Sequence, residues 1–232
     1  NAAGNRKDGS LSNEWLSISC VRNAAGNRKD GSLSNEWLSM SCVRNAAGAI
    51  SHYVGLFSDL SERQAAAERI QYRSSYDTLT GLPNRALFAD RLDQALLTAR
   101  RFERGTALIL FDLDRFRVLN DTLGPGIGDR ILFEVAGRLK ESVQEKDTVS
   151  RQSGDEFAIL INDCGNVSMV AMIAERLLAS IRRPLLLDGH DIALSACIGI
   201  SIYPEDGDDV DALLKNADTA LHAAKAVGRD SY

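Results

Sequence analysis

The spacing of apolar and polar residues changes period several times along the chain, and the changes mark its elements. From Tyr76 to Tyr232 helical and extended patterns alternate. They predict helices from Asn84 to about Phe102, from about Gly126 to Ser142, from Val167 to Ile181 and from Asp208 to Ala226. Between these fall a predicted strand from Ala107 to Leu113, a hairpin from Thr148 to Ile161 and a second hairpin from Pro184 to Ile202. Helices mixed with antiparallel hairpins specify an α+β class, an antiparallel sheet flanked by helices, and exclude a doubly wound parallel sheet. Upstream, strong β-formers from Leu33 to Val43, an Asn-Ala-Ala-Gly turn and a strand from Ile50 to Phe57 read as an antiparallel β-hairpin. Ser61 to Ser75 reads as a linker helix, because Glu, Arg, Gln and three consecutive Ala favour helix and Ser61 is placed to cap it. Leu60, Ala67 and Ile70 lie near heptad spacing, over a stretch too short for an independent coiled coil.

An internal repeat overlies this pattern at the N-terminus. Asn1 to Arg22 recurs as Asn23 to Arg44 with Ile18 against Met40 as the one difference, and a third copy begins at Asn45 but stops after Gly48. Two copies of 22 residues do not make a solenoid, and their near-identity marks a recent or man-made duplication. The repeat also distorts the bulk figures. The 232 residues carry a formal charge of −5, of which the two copies contribute +2 and the remainder −7; Cys20 and Cys42 are one cysteine counted twice. With 44% hydrophobic and 25% charged residues, the composition is that of a soluble globular protein. Apolar runs such as Ala107 to Phe111 fall far short of the ~18 residues of a membrane span, so no membrane contact is expected within this chain. An acidic chain without Lys/Arg-rich blocks lacks the basic stripe that nucleic acid requires. Four cysteines, none in a C-x-x-C pair, point to reduced thiols and a cytoplasmic setting, not to a disulfide frame or zinc site.

Candidate chemistry gathers where strands end in acids. The apolar strand Ala107 to Phe111 runs into Asp112-Leu113-Asp114, and period-2 geometry puts both carboxylates on one face. Asp112 is a candidate ligand for Mg²⁺, which favours one or two carboxylates together with substrate phosphates. Asp114 reads instead as the cap of a short helical turn from Arg115 to Leu119. The hairpin Thr148 to Ile161 turns at Ser153-Gly154-Asp155-Glu156. Alone, two acids at a hairpin tip read as solvated side chains. Paired with Asp112 they make a carboxylate cluster suited to holding metal ions for phosphoryl or nucleotidyl transfer. Asp129 closes the run Gly124-Pro125-Gly126-Ile127-Gly128, which frees backbone N–H groups near a helix start but lacks the Gly-Lys-Ser/Thr ending of a Walker A loop.

Four stretches together, in order and spacing, resemble the GGDEF domain of the diguanylate cyclase family over essentially all of Tyr76 to Tyr232. They are Asp77-Thr78-Leu79-Thr80-Gly81-Leu82-Pro83-Asn84-Arg85; Phe111-Asp112-Leu113-Asp114-Arg115-Phe116-Arg117 through Asn120-Asp121 and Gly128-Asp129; the signature Ser153-Gly154-Asp155-Glu156-Phe157; and Ala224-Lys225 with Gly228-Arg229. The resemblance implies a nucleotidyl-cyclase-like fold that condenses two GTP into cyclic di-GMP and two pyrophosphates. It implies Mg²⁺, or Mn²⁺ in its place, bound by Asp112, the Leu113 carbonyl and Asp155. Asp155 would also help deprotonate the ribose 3′-hydroxyl, with Glu156 as a second catalytic acid. Asn120 and Asp129 would read the guanine edge, since an amide and a carboxylate satisfy its acceptors and donors. Lys225 and Arg229 would neutralise the triphosphate, with Phe116, Ser153 and Gly154 also at the substrate. Arg117 stands where the family usually has a Lys that steadies transition-state charge. One GTP per domain implies a homodimer with two sites facing each other.

The departures from the family pattern carry their own expectations. Ser153 replaces the first glycine of the signature, which a requirement for φ > 0 would penalise. Arg117 keeps the charge of lysine but not its shape. Pro125 stands at a position usually held by His. The family's inhibitory product site wants Arg-x-x-Asp; Gln144-Glu145-Lys146-Asp147 keeps Asp147 and loses the guanidinium fork, so tight product feedback is not expected. Upstream, Arg28-Lys29-Asp30-Gly31-Ser32 through Trp37 to Asp59-Leu60-Ser61-Glu62-Arg63 resembles the last strands and exit of a PAS sensor domain. The resulting organisation is a PAS C-terminal fragment with its duplication over 1–60, a linker helix over 61–75 and a GGDEF domain over 76–232. The rest of the PAS domain is expected before Asn1, in a full-length protein compatible with a membrane tether. The rival expectation is a catalytically weak or inactive GTP-binding GGDEF module that regulates an adjacent domain such as a phosphodiesterase.

Overall fold

Among the described residues, backbone pairing turns the alternating pattern into two four-stranded antiparallel sheets and one two-stranded hairpin. The computed structural model describes residues 15–16, 22–27, 33–44, 49–59, 72, 74–228 and 230–232. The chain divides into two units, Asn1–Gln71 and Tyr72–Tyr232.

In the first unit, β1 (Trp15–Leu16), β2 (Arg22–Asn27) and β4 (Ile50–Asp59) all pair antiparallel with β3 (Leu33–Arg44). The predicted hairpin is β3 with β4, whose register runs from Glu36 opposite Asp59 to Arg44 opposite Ile50. The first copy of the repeat contributes β1 and the first residue of β2, so it adds strands beside its own duplicate. Of the predicted linker helix, only Tyr72, Ser74 and Ser75 are described, all helical. Its cap Ser61 and the heptad positions Leu60, Ala67 and Ile70 lie outside the described residues.

The second unit contains α1 (Arg85–Phe102), β5 (Thr106–Leu113), α2 (Phe116–Leu123), α3 (Pro125–Glu141), β6 (Thr148–Ser153) and β7 (Glu156–Asn162). It continues with α4 (Val167–Arg182), β8 (Leu185–Leu187), β9 (His190–Ile192), β10 (Ala196–Tyr203) and α5 (Val210–Val227). The sheet has the order β10-β5-β7-β6 with every pair antiparallel, which gives the expected α+β architecture. From Ala107 to Phe111 the strand β5 is apolar because it is covered on both faces. Ala107, Ile109, Phe111 and Leu113 belong to one core with Ile131, Leu132, Val135 and Leu139 of α3 and Val170, Ile173, Leu177 and Ile181 of α4. Leu108 faces the other way, into a core with Phe88, Leu92 and Leu96 of α1 and Leu213 and Ala217 of α5. Polar caps set the helix starts: Asn84, Asn166 and Asp209 accept from Leu87, Met169 and Ala212 N–H at the heads of α1, α4 and α5.

The second predicted hairpin divides. Asp188 (φ 50°) and Gly189 (φ 81°) close β8 on β9 with two residues of positive φ, the twist that a two-residue turn needs. The remaining strand, β10, joins the main sheet beside β5, with Ala196 opposite Leu113 and Tyr203 opposite Thr106. Buried at every position except the partly buried Ile200, it has the character of a strand packed on both faces, which a hairpin arm on the surface would not have.

Helix α5 crosses β10 at Gly199, where a Cβ would collide with the Ala217 carbonyl oxygen and the Leu221 N–H and lie 2.7 Å from Leu221 Cβ. Gly199 therefore sets the distance of α5 from the sheet. Gly199→Val should force α5 outward and cost at least about 1–3 kcal/mol of stability, read as a lower urea midpoint.

Candidate active site

The central strand β5 delivers Asp112 to the rim of the sheet, and strand pairing decides what stands beside it. Asp112 lies opposite Glu156 of β7 and opposite Cys197 of β10. The next residue, Leu113, is buried, and its N–H donates to the Asp155 carbonyl at 3.4 Å, fastening the β6–β7 turn to the end of β5. The turn itself needs Gly154 at φ 48°. Ser153, the residue that replaces the first glycine of the signature, lies in β6 outside the positive-φ region, so the feared conformational penalty does not arise. Its hydroxyl instead donates to Glu156 Oε2 at 2.9 Å.

The charges at this rim are unequal. Lys225 reaches from the last turn of α5 to place Nζ 2.8 Å from Asp112 Oδ2, with both side chains largely withdrawn from solvent. Asp155 has no such close partner. Burial, reinforced by the negative charges of Asp112 and Glu156, holds its carboxyl above the usual carboxylate range, against the opposing pull of its own backbone N–H and of Lys225. Among the described residues no three His, Cys, Asp or Glu side chains form a ready-made metal centre. Two carboxylates and a carbonyl suit a hard divalent cation that completes its shell with water and phosphate oxygens. The crowding that raises Asp155 is the electrostatic condition such a cation relieves.

Beyond the strand end, Arg115 turns the chain at φ 55° and α2 begins at Phe116 without a side-chain cap. The Phe116 ring is buried in the core, so only its backbone can face a substrate. Arg117 projects into solvent, its side chain 94% exposed and its nearest partner Asp121 at 4.0 Å. Asn120 is half-buried on α2. Gly124 (φ 88°) ends α2 and starts α3, with Pro125 at the first helical position, and Asp129 stands exposed on the first turns of α3.

Residues 74–231 match the family described as diguanylate cyclase, GGDEF domain. The chain belongs to the diguanylate cyclase GGDEF-domain family. It is 43% identical over 157 residues to the bifunctional diguanylate cyclase/cyclic di-GMP phosphodiesterase MucR of Pseudomonas aeruginosa, covering 68% of this chain and 23% of MucR. It is 39% identical over 163 residues to the diguanylate cyclase TpbB of the same species, covering 70% of this chain and 38% of TpbB. It spans well under half of both curated relatives. A solved structure of a truncated TpbB from Pseudomonas aeruginosa comprising only the GGDEF domain superposes with a TM-score of 0.66 at 41% identity, covering 67% of this chain and 91% of that one.

Within this GGDEF domain the structure brings together Asp112, Leu113, Ser153, Gly154, Asp155, Glu156 and Lys225. Arg229 lies outside the described residues. One acid has another occupation than the sequence suggested. Asp114 caps no helix; its carboxylate accepts from Ser195 Oγ (2.7 Å), Cys197 Sγ (3.3 Å) and the Asp230 N–H (3.2 Å). Arg182 grips Asp230 through both carboxylate oxygens at 2.9 Å, and Ser231 accepts from the Ile198 N–H on the open edge of β10. Together these contacts clasp the C-terminal segment to the sheet. Asp147 accepts from the backbone N–H groups of Gln144 and Asn162, both at 3.0 Å, so it braces the approach to β6.

Sequence reasoning also missed Arg151. Its guanidinium donates to both oxygens of Asp77 (3.1 and 3.2 Å) and, through Nε and Nη2, to the Gly154 carbonyl (2.9 and 2.8 Å), joining the N-terminal motif to the signature turn. A basic residue two positions before the signature was the available signal, but its partner is 74 residues away. Burial by itself would raise the Asp77 carboxyl. Hydrogen bonds from the Thr80 hydroxyl and N–H, together with Arg151, outweigh burial and hold it below the usual carboxylate range. That contribution to stability is complete above the unfolded-state value, about 3.9, and is lost as pH falls through the lower folded-state value. Asp77→Asn should lower the unfolding free energy by about 1–3 kcal/mol at neutral pH. The gap to the parent chain should close only below about pH 4, which urea unfolding across pH will read.

Proposed function

We propose that residues 76–232 act as a diguanylate cyclase, condensing two GTP into cyclic di-GMP and two pyrophosphates across a homodimer. The observation that carries this reading is the meeting of Asp112, Asp155 and Lys225 at one rim of the sheet, with Asp155 raised above an ordinary carboxylate. The 3′-oxygen of one GTP attacks the α-phosphorus of the other. A new P–O bond forms, the bond from that phosphorus to the bridging oxygen breaks, and pyrophosphate departs with its electron pair. Asp155 takes the proton of the attacking hydroxyl, a role suited to a carboxylate held in the β6–β7 turn beside Asp112. Mg²⁺ or Mn²⁺ would be held by Asp112, Asp155 and the Leu113 carbonyl and would neutralise phosphate charge when bound. Lys225 and Arg229 bind the triphosphate, the exposed Arg117 is free to meet developing charge, and Asn120 and Asp129 engage the guanine edge. Because each domain supplies one GTP, two copies must face each other for both condensations.

The same reading assigns residues 1–60 to a PAS-derived end with its duplication and 61–75 to a connecting helix, so the enzyme domain would answer to an upstream sensor. The four antiparallel strands of the first unit are compatible with that ancestry.

A second reading is favoured by one contact. The Ser153 hydroxyl occupies Glu156, and an enzyme whose second acid is held this way would be slow, leaving a GTP-binding module that regulates an adjacent domain such as a phosphodiesterase. Incubating dimeric protein with GTP and Mg²⁺ and measuring cyclic di-GMP separates the two. Turnover is expected, and Asp155→Ala should lower it by at least about 100-fold while the protein stays folded. GTP binding without any product, at concentrations where light scattering shows a dimer, would overturn the cyclase reading in favour of the second.

A further inference from the structure

Gly128 lies inside α3, where glycine is a poorer helix former than alanine, and its φ is not one that requires glycine. What distinguishes it is space. A Cβ at Gly128 would overlap the Asn120 side-chain oxygen and would stand 3.0 Å from Asn120 Cγ and 3.4 Å from Phe116 Cζ. The Asn120 carboxamide thus rests directly on the bare backbone of α3, with the Phe116 ring beside the same point. Among the described residues no hydrogen bond holds that carboxamide, so this van der Waals seat is what fixes its place. Gly137, on the exposed side of the same helix, has nothing within 4 Å of a Cβ and offers a matched control.

We propose that Gly128 is a specificity-determining positioning residue: by lacking a side chain it seats the Asn120 carboxamide for the guanine edge, so base selection depends on a residue that never touches the base. The inference rests on the reading of Asn120 as a guanine contact. In Gly128→Ala the methyl group takes the volume of the carboxamide oxygen, the side chain must rotate away, and one of the polar groups facing the base is lost. The adjacent Asp129 remains, so nucleotide still binds, but with less regard for which base it carries.

The test measures equilibrium binding of a non-hydrolysable GTP analogue and of its ATP counterpart to the full chain by calorimetry, alongside thermal melting. Gly128→Ala should weaken the GTP analogue at least tenfold and reduce the preference over ATP by a similar factor, and in turnover the loss should fall on KM and not on kcat. Gly137→Ala, with the same gain in helix propensity, should leave affinity and preference within twofold. In an Asn120→Ala background the Gly128 substitution should add no further loss, because both remove the same contact. That double variant also serves if the single one unfolds: recovery of the fold in the pair locates the clash at Asn120, and failure of both overturns the assignment. A parent preference for GTP that survives Gly128→Ala, or a loss that persists undiminished in the Asn120→Ala background, overturns this inference alone. A parent chain that does not prefer GTP overturns the substrate reading with it.

Discussion

Asp112 stands opposite Glu156 across β5 and β7, with Asp155 in the turn beside them. Like charges placed directly opposite in a sheet repel, and here they do so at the end of a largely buried strand. The fold compensates with one ammonium, Lys225, whose reach depends on how close α5 lies to the sheet, which in turn depends on Gly199 having no side chain. A single close approach between helix and strand is therefore the mechanical condition for the electrostatics of the rim. The imbalance that remains after Lys225 is paired falls on Asp155.

Two further braces hold this rim from opposite ends of the domain. Arg151 connects the signature turn to Asp77, which fixes the backbone on the N-terminal side. Asp114 connects the end of β5 to Ser195, Cys197 and the C-terminal segment at Asp230. Each uses a charged group satisfied by several partners, and such groups leave a larger defect when one partner is removed than a neutral hydrogen bond does. The acids of this domain thus divide into those satisfied within the fold and those left with capacity for a ligand.

Local physics made most of the fold legible. Asn84 and Asp209 are side chains whose capping chemistry announces a helix start, and β5 follows from a run of apolar residues that no exposed strand would carry. The reading failed where the deciding partner is distant in sequence. Asp114 looked like a helix cap because capping is the local use of an aspartate before a turn, whereas Ser195 lies 81 residues away. β10 looked like a hairpin arm because β8 and β9 precede it, whereas its apolar length is explained by β5. The acidic components of the candidate site were visible as motifs, but the contacts that orient them, from Lys225, Arg151 and Gly128, are tertiary and have no local signature.

The repeat has an energetic consequence for the first unit. The segment that forms β3, residues 33–44, is matched by residues 11–22 at every position but one, so the chain contains two almost interchangeable occupants for the place beside β4. Their sequences differ at one position only, Ile18 against Met40. What does distinguish them is the length of chain to be closed: five residues (45–49) for the nearer copy against 27 (23–49) for the farther. Loop-closure entropy at that ratio amounts to about 1.5 kcal/mol in favour of the nearer copy. Loop length thus favours the nearer copy as the partner of β4.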